Sequence, residues 1–274
     1  MTAAGLVLES GDACLTVDAQ MGGRMTSLVV FGDELLVTHG DGPIRWGCYP
    51  MAPFAGRIRE GRFTFDGRDV RLPLNLPPHA IHGTALERPW TVTAPDAMAI
   101  DLGPDWPFRG RVRQEFALDD DGLSVRLTLE ADEAMPGAVG WHPWFRRTLA
   151  GTIASPRPPS GPVVLRFEPE RMYRRGGDGL PTGELTDPGP RPWDDCFTGL
   201  HSAPRLTWPD RVALEIRSDC DHWVVYDERD EGLCVEPQTA PPDFPNIAPR
   251  RLEPGAPLHA TMEWRWWPPA AGDR

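Results

Sequence analysis

The sequence predicts an all-β fold, a sandwich or a barrel, and three observations support this prediction. Short apolar stretches alternate with polar residues at a period of two. Turn-forming residues, 28 Gly and 32 Pro among 274 residues, separate these stretches. We find no convincing helical period in any dozen residues free of Gly and Pro. Many short strands joined by such turns are typical of sandwiches and barrels.

The clearest hairpin is predicted between Arg111 and Ala131, where both arms alternate and Asp120-Asp121-Gly122 forms the turn. Pairs such as Asp66-Gly67 mark further turns, because they supply the positive φ angles that a tight hairpin needs. Two Pro/Gly-rich segments, 155–162 and 174–192, are predicted to be long loops. The other predicted strands are Leu6–Leu8, Ala13–Asp18, Met25–Phe31, Glu34–Val37, Phe63–Phe65, Val70–Leu74, Val163–Phe167, Val212–Ile216, Trp223–Tyr226, Leu233–Glu236 and Leu258–Trp266.

Length and composition indicate one globular unit, and we expect a single domain over residues 1–274. Hydrophobic residues make up 40% of the chain and charged residues 25%, which is typical of a soluble globular protein. The formal net charge of −12 argues against a nucleic-acid partner, because phosphate backbones are bound by basic surfaces.

The absence of lysine from the sequence excludes several mechanisms. Without it there is no Schiff base, no anchor for pyridoxal phosphate and no Walker lysine. The five cysteines are scattered and form no C-x-x-C pair, so we expect reduced thiols. The N-terminus does not read as a secretion signal, and no apolar run approaches about 18 residues. We therefore expect a cytoplasmic protein without a membrane partner.

The stretch Gly140–Phe145 reads Gly-Trp-His-Pro-Trp-Phe and places His142 between two tryptophans. Tryptophan can cover the apolar face of a ring-shaped ligand, and proline stiffens the backbone. The stretch therefore suits a pocket wall. The alternative is a structural histidine packed among aromatic rings.

Three further stretches carry chemistry. Residues 49–58 hold two prolines and end near Arg57, whose guanidinium can donate paired hydrogen bonds to hydroxyl, carboxylate or phosphate groups. Residues 76–83 contain His82, which precedes a glycine, and His79 is the alternative candidate for the functional histidine of this stretch. Residues 234–243 contain Glu236 at the end of an apolar strand, where partial burial would raise its pKa toward the range of a general base.

Two histidines, an arginine and a glutamate also fit a two-histidine, one-carboxylate iron site. Such sites commonly include two ligands close in sequence, and no H-x-D/E or H-x-x-x-H pair occurs here. A serine or cysteine nucleophile is disfavoured because no nucleophile-elbow pattern is present.

Taken together, these stretches resemble the aldose 1-epimerase (galactose mutarotase) family, in order and approximate spacing over nearly the whole chain. The matching blocks are Pro53-Phe54-Ala55-Gly56-Arg57-Ile58 with Gly61-Arg62-Phe63, Asn75 with Ile81-His82-Gly83 and Trp90, Gly140-Trp141-His142-Pro143-Trp144-Phe145, Asp194-Asp195-Cys196-Phe197, and Val235-Glu236-Pro237-Gln238-Thr239-Ala240-Pro241-Pro242-Asp243. The resemblance implies a large antiparallel β-sandwich, the galactose mutarotase-like supersandwich, with the sugar in a cleft on one sheet.

The resemblance also implies roles for individual residues. Glu236 would be the general base and His142 the general acid, while His82, Arg57 and Asp194 would hold the sugar. Asp195 competes with Asp194 for its role. The chain departs from the family pattern at Gly56, where asparagine is common, and this leaves one sugar contact open.

The implied activity is interconversion of the α and β anomers of a hexose by ring opening and reclosure. The C1 hydroxyl loses a proton while the ring oxygen gains one, so we expect a base and an acid on opposite sides of the C1–O5 bond. An imidazole with a pKa of about 6.5 suits the acid. No metal or other cofactor is expected, and the partners expected are a small-molecule sugar and, at most, a second copy in a homodimer.

Two alternatives stay open at this stage. One is a sugar-binding module without turnover. The other is a hexose-6-phosphate 1-epimerase, with a phosphate clamp drawn from the arginines at 57, 59, 62, 109, 146 and 147. Trp106, Phe108 and Trp193 are candidates either for stacking on the sugar or for packing in the core.

Overall fold

The computed structural model describes residues 5–269. They form 25 strands, one 3-10 turn at Arg59–Gly61 and one short helix, α1, at Phe244–Ile247. The strands are β1 (Gly5–Ser10), β2 (Ala13–Asp18), β3 (Arg24–Val30), β4 (Asp33–Glu34), β5 (Cys48–Met51), β6 (Arg57–Ile58), β7 (Arg62–Phe65), β8 (Arg68–Arg71), β9 (Ala80–Ile81), β10 (Thr91–Ala94), β11 (Ala97–Asp101), β12 (Gly110–Asp119), β13 (Gly122–Ala131), β14 (Met135–Pro136), β15 (Gly140–Arg146), β16 (Val164–Arg166), β17 (Pro169–Arg175), β18 (Pro181–Thr186), β19 (Asp194–Leu200), β20 (Arg205–Trp208), β21 (Val212–Ser218), β22 (His222–Tyr226), β23 (Gly232–Gln238), β24 (Arg251–Leu252) and β25 (Leu258–Trp267).

Two large antiparallel sheets dominate the fold. The first has 11 strands in the order β1-β2-β3-β5-β15-β23-β22-β19-β17-β18, with β4 paired to β3. The second has eight strands in the order β10-β11-β12-β13-β25-β21-β20-β16. Apolar side chains from both sheets share one core, as where Phe145 of β15 meets Trp264 of β25 with ring centroids 5.1 Å apart. The prediction of an all-β antiparallel fold is confirmed.

Local sequence patterns locate many of the strands correctly. The hairpin β12/β13 pairs from Gly110 with Ala131 to Asp119 with Gly122. Asp66 and Gly67 have φ values of 49° and 74°, as a tight turn between β7 and β8 requires. Period-two patterns and turn residues act locally, so they can be read without knowledge of the tertiary structure.

The prediction of a long loop over residues 174–192 was wrong in part. Strands β17 and β18 form a hairpin at the end of the first sheet, and its tip is the glycine-rich segment 176–179. Strand β18 is the end strand, which pairs on one side only and needs no strong apolar pattern. Strands β5, β6, β9, β10, β11, β14, β15, β19, β20 and β24 were also absent from the predicted set.

No helix within residues 5–269 has the length and apolarity needed to cross a membrane. All five cysteines lie in this part of the chain, and they are free thiols. A single domain over residues 1–274 and a cytoplasmic location remain predictions.

Gly83 lies where the backbone after His82 passes Ala52, with a parallel bridge between Ala52 and Gly83. Its φ is 84°, and a Cβ there would overlap the carbonyl of Ala52. We expect Gly83→Ala to lower the free energy of unfolding by about 3 kcal/mol, measured by denaturant titration. Gly67→Ala is the matched control, because its φ is 74° but nothing lies within 4 Å of the added Cβ. Equal losses in the two variants would contradict this explanation.

Candidate active site

A cleft of about 210 Å³ opens on the first sheet. The four stretches in which the sequence places candidate functional residues, 49–58, 76–83, 140–145 and 234–243, all contribute residues to its lining. Arg57, His82, His142, Asp194 and Glu236, the five residues named from the sequence, all line this cleft. They lie far apart along the chain. His142, Glu236 and Asp194 lie on β15, β23 and β19 of this sheet. Arg57 on β6 and His82 just after β9 come from a separate two-stranded sheet.

Alternation along the strands explains how one sheet supports both a core and a cleft. On β15, Trp141 and Phe145 belong to the main core. His142 and Trp144 point to the opposite face and line the cleft. On β23, Val235 packs in the core while Glu236 faces the cleft. The Gly-Trp-His-Pro-Trp-Phe stretch is therefore a strand with one aromatic face buried and one functional face.

His142 and Glu236 face each other across the neighbouring strands β15 and β23. His142 Nε2 lies 3.2 Å from Glu236 Oε1, and both side chains are almost completely buried. Gln238 donates a hydrogen bond of 3.2 Å to Glu236 Oε2. Each oxygen of the carboxyl group thus has a partner, and the group has a fixed orientation at the base of the cleft.

Burial raises the pKa of Glu236 well above its ordinary value of 4.5. The nearby carboxylate of Asp194 raises this pKa further, whereas Arg57 and the hydrogen bond from Gln238 oppose the shift. The direction agrees with the expectation from the sequence. A carboxyl group with a raised pKa can exchange protons closer to neutral pH than an ordinary glutamate.

The expectation that His142 would keep an ordinary imidazole pKa was wrong. Burial lowers the pKa of His142 from 6.5 to about 3, and the positive charges of Arg24 and Arg57 contribute to the shift. The backbone of His142 itself opposes the shift. His82 shifts in the same direction, because it is buried beside His142 and Arg57.

These opposite shifts place a shared proton on Glu236 in preference to His142. Transfer of this proton across the 3.2 Å contact gives the ionic form, a carboxylate beside an imidazolium. One member of the pair can therefore donate a proton while the other accepts one. The two groups stand side by side. Their placement on opposite sides of the C1–O5 bond stays a prediction.

His82 lies with its ring nearly perpendicular to that of His142, and the ring centroids are 4.8 Å apart. Its backbone has φ of 58°, and Asn75 holds the preceding turn through hydrogen bonds to both backbone groups of Ile81. His79, the rival residue, accepts a hydrogen bond from the backbone N–H of Glu60 and does not line the cleft. Of these two histidines, only His82 therefore lines the cleft.

Four charged groups alternate along one side of the cleft. Asp194 lies 3.8 Å from Arg57 and 3.7 Å from Arg175, and Asp195 lies 3.8 Å from Arg175. These separations exceed hydrogen-bond distance, so the guanidinium N–H groups and carboxylate oxygens retain capacity for a ligand. Burial raises the pKa of both aspartates, while the arginines oppose that shift.

Most of the arginines that the sequence suggests for a phosphate clamp lie outside the cleft. Of the six arginines proposed for it, only Arg57 lines the cleft. Arg59 pairs with Asp178 and Asp243, while Arg146 and Arg147 donate to backbone carbonyl groups. Trp106, Phe108 and Trp193 pack in the core and do not line the cleft. The core interpretation of these aromatic residues is confirmed.

One group of possible metal-ligating side chains comes together among the described residues, comprising His142, Cys234 and Glu236 within 4.8 Å of one another. It lacks the second histidine of the iron site considered from the sequence. Burial raises the pKa of the Cys234 thiol well above 9.0, which favours the protonated form that binds metals poorly. These three side chains are therefore better suited to proton exchange than to metal binding.

Comparison with known proteins gives a consistent result over nearly the whole chain. Residues 6–265 match the family profile described as Aldose 1-epimerase. The chain belongs to the aldose 1-epimerase family.

Among curated relatives of this family member, the uncharacterized protein YphB of Escherichia coli K12 is 31% identical over 105 residues, 36% of each chain. Galactose mutarotase of Rattus norvegicus is 29% identical over 106 residues, 35% of this chain and 30% of the relative. These alignments thus span about a third of the length of each relative.

Solved structures show the same fold. A putative aldose 1-epimerase from Escherichia coli K12 superposes with a TM-score of 0.79 at 21% identity, covering 96% of this chain and 98% of the other. A galactose mutarotase-like protein from Clostridium acetobutylicum gives 0.80 at 17% identity, covering 96% and 95%. The large antiparallel sheets predicted through the family resemblance are therefore confirmed.

In this aldose 1-epimerase family member, the departure at Gly56 has a steric explanation. Gly56 has φ of 66°, and a Cβ at this position would lie 2.6 Å from Cγ of Pro242. Both residues line the cleft. An asparagine here would require Pro242 to move, so glycine and the proline-rich segment after β23 fit each other.

The sequence did not single out Arg175 as a cleft residue, and Gln238 entered only as part of a matching block. Arg175 reaches the cleft because hairpin β17/β18 pairs with β19, next to the two aspartates. Gln238 follows Glu236 by two residues on a strand, and this spacing alone places both on the same face. The sequence therefore contained a signal for Gln238 and none for Arg175.

Proposed function

We propose that this protein is an aldose 1-epimerase, a mutarotase that interconverts the α and β anomers of a hexose. The observation that supports this most directly is the buried His142–Glu236 pair, 3.2 Å apart at the base of a cleft lined by hydrogen-bonding groups. Membership of the aldose 1-epimerase family agrees with this activity.

In the proposed mechanism, Glu236 accepts the proton of the C1 hydroxyl and His142 donates a proton to the ring oxygen. The C1–O5 bond breaks, and C1 becomes an aldehyde carbon. Both oxygens are bonded to C1 in the closed sugar, so two groups that stand side by side can each face one of them. Rotation about C1–C2 and reclosure with reversed proton transfers give the other anomer.

The same pair explains how the cycle returns to its starting state. Ring opening takes the ionic pair, with carboxylate and imidazolium, to the neutral pair, and reclosure takes it back. One proton is conserved throughout, as the opposite pKa shifts of the two groups favour. Each positioned proton donor or acceptor contributes about 10²–10⁴-fold to the rate.

We further propose that His82, Arg57 and Asp194 hold the sugar hydroxyls. The N–H groups of Arg57 and the oxygens of Asp194 lie 3.8 Å apart, and each can still hydrogen-bond to a ligand. A neutral hexose with adjacent hydroxyl groups fits such alternating donors and acceptors.

Asp194 and Asp195 form a natural matched pair of substitutions. We expect Asp194→Asn to raise KM about tenfold, because a charge-assisted hydrogen bond to a hydroxyl contributes about 1.5–3 kcal/mol. Asp195→Asn should change KM less, since Asp195 pairs with Arg175 and not with Arg57. Steady-state polarimetry measures both values, and a larger effect at Asp195 would assign the sugar contact to that residue instead.

The proposed activity is tested by polarimetry or NMR of freshly dissolved α-glucose, α-galactose and glucose 6-phosphate, with and without EDTA. We expect faster approach to anomeric equilibrium for at least one sugar, with no effect of the chelator. Preference for the phosphorylated sugar would favour a hexose-6-phosphate 1-epimerase. Binding without acceleration would identify a sugar-binding module and overturn the proposal.

A further inference from the structure

The geometry points to Tyr49, supported by the buried guanidinium of Arg24, as the positioning group for His142. This inference rests on the proposed function, since it concerns the same acid–base pair. It assigns a role to two residues that do not themselves exchange protons with the sugar.

Among residues 5–269, no hydrogen bond of good geometry fixes the imidazole of His142 on the side away from Glu236. Its Nδ1 is buried and has no hydrogen-bond partner of good geometry among residues 5–269. In many sites the second ring nitrogen of a functional histidine donates to a carboxylate or carbonyl group, which sets the ring orientation. Another interaction must hold the ring of His142 here.

Aromatic neighbours provide that interaction. The ring of Tyr49 stacks on His142 across strands β5 and β15, with centroids 4.9 Å apart and an interplanar angle of 24°. Trp144, two residues further along β15, is also nearly parallel to the imidazole, at 5.6 Å and 15°. His82 contacts the imidazole in an edge-on arrangement. The plane of His142 is therefore defined by ring contacts.

The two stacked neighbours are anchored at one point. The hydroxyl group of Tyr49 donates to the carbonyl of Ile44 at 3.0 Å, and Nε1 of Trp144 donates to the same carbonyl at 2.8 Å. Displacement of the Ile44 backbone would thus move both rings. The segment 43–46 therefore supports both of the rings that stack on His142.

Arg24 holds that segment in place. Its terminal nitrogens donate to the backbone carbonyls of Pro43 and Trp46, on either side of Ile44. Its guanidinium lies 4.3 Å from the ring centroid of Trp46 and 4.6 Å from that of Tyr49. Burial lowers the pKa of Arg24 only to about 10, so the group stays cationic at neutral pH. Cation–π contacts of this kind stabilise aromatic rings in one position.

The experiment separates positioning from general structural support by a double-mutant cycle. The ionisable residues that contact His142 or shift its pKa include Arg24, Tyr49, Arg57, His82, Cys234 and Glu236. Each single variant replaces only one of these residues. We expect Tyr49→Leu to lower kcat about 10²-fold with little change in KM, because a small misplacement of a catalytic group has an effect of this size. In a His142→Asn background, the same change should lower kcat by no more than about twofold.

Milder variants test the support that segment 43–46 and Arg24 give to the rings stacked on His142. Tyr49→Phe keeps the ring and removes only the hydrogen bond to Ile44, so we expect a loss of kcat below about tenfold. Arg24→Met should lower kcat more than Arg24→Lys, which retains the cation. NMR of the His142 ring nitrogens reports its environment independently of activity, and we expect their shifts to change in Tyr49→Leu and Arg24→Met.

Tyr173→Leu is the matched control. Tyr173 packs on His222 at 5.8 Å and 34° and hydrogen-bonds to it, but neither residue lines the cleft. We expect its kcat to stay within about twofold of wild type. An equal loss from Tyr49→Leu in both backgrounds would overturn the positioning role alone. If His142→Asn itself keeps full activity, the proposed acid–base pair fails, and the positioning role fails with it.

Discussion

Glu236→Gln is expected to lower kcat for anomer interconversion by about 10²–10⁴-fold while the chain stays folded. Glutamine keeps the shape of the side chain and can still contact His142 and Gln238, but it cannot accept the proton of the C1 hydroxyl. KM should change little, since Arg57 and Asp194 remain. Polarimetry of wild type and variant at matched concentration measures the loss. Wild-type kcat in Glu236→Gln would rule out the proposed base.

The same variant should also change how the stability of the protein depends on pH. Because burial raises the pKa of Glu236, the folded chain binds this proton more tightly than the unfolded chain does. Its contribution to stability is therefore fully present below pH 4.5 and is lost as the pH rises through the raised pKa of the folded state. A neutral glutamine avoids this loss. We expect the Tm of Glu236→Gln, relative to that of wild type, to increase as the pH rises above 4.5.

His142→Asn is expected to lower kcat by at least about 10²-fold, because asparagine cannot donate a proton to the ring oxygen. Its effect on stability has the opposite pH dependence to that of Glu236→Gln. The pKa of His142 falls from 6.5 to about 3 on folding, so wild type loses stability as the pH falls from 6.5 toward 3. The variant should lose less over that window, as measured by denaturant unfolding at several pH values.

His222→Asn is the matched control for this second prediction. Burial lowers the pKa of His222 to about 4, and the residue lies outside the cleft. Its substitution should also reduce the loss of stability at low pH, while kcat remains unchanged. Full activity in His142→Asn, or a large loss of kcat in His222→Asn, would contradict the assignment of the acid.

Much of the fold could be predicted from the sequence because strand and turn signals are local. The alternation in β12 and β13 and the turn at Asp66-Gly67 are examples. Hairpin β17/β18 could not be predicted, because β17 is rich in charged residues, β18 is mostly polar, and neither strand has an apolar period. Strand β15 was likewise missed, since His142 and Pro143 interrupt its apolar pattern.

The candidate site was found from the sequence because polar residues stand in otherwise apolar or proline-rich stretches. Four of the cleft residues were named in this way: Arg57, His82, His142 and Glu236. Asp194, the fifth, was implied by the family resemblance alone. Arg175 was missed, because its place depends on which strand the hairpin joins. The lowered pKa of His142 was also missed, since it depends on complete burial and on Arg24, which lies 118 positions earlier in the chain.

The sequence by itself determined the strand-rich character of the chain, its turns and the residue types available for proton exchange. Only the tertiary structure decided that His142 and Glu236 stand 3.2 Å apart, with Tyr49 stacked beside them. The reason is physical. Side-chain period and turn chemistry act over a few residues, whereas strand register, burial and the electrostatic field at a buried group arise from segments distant in sequence.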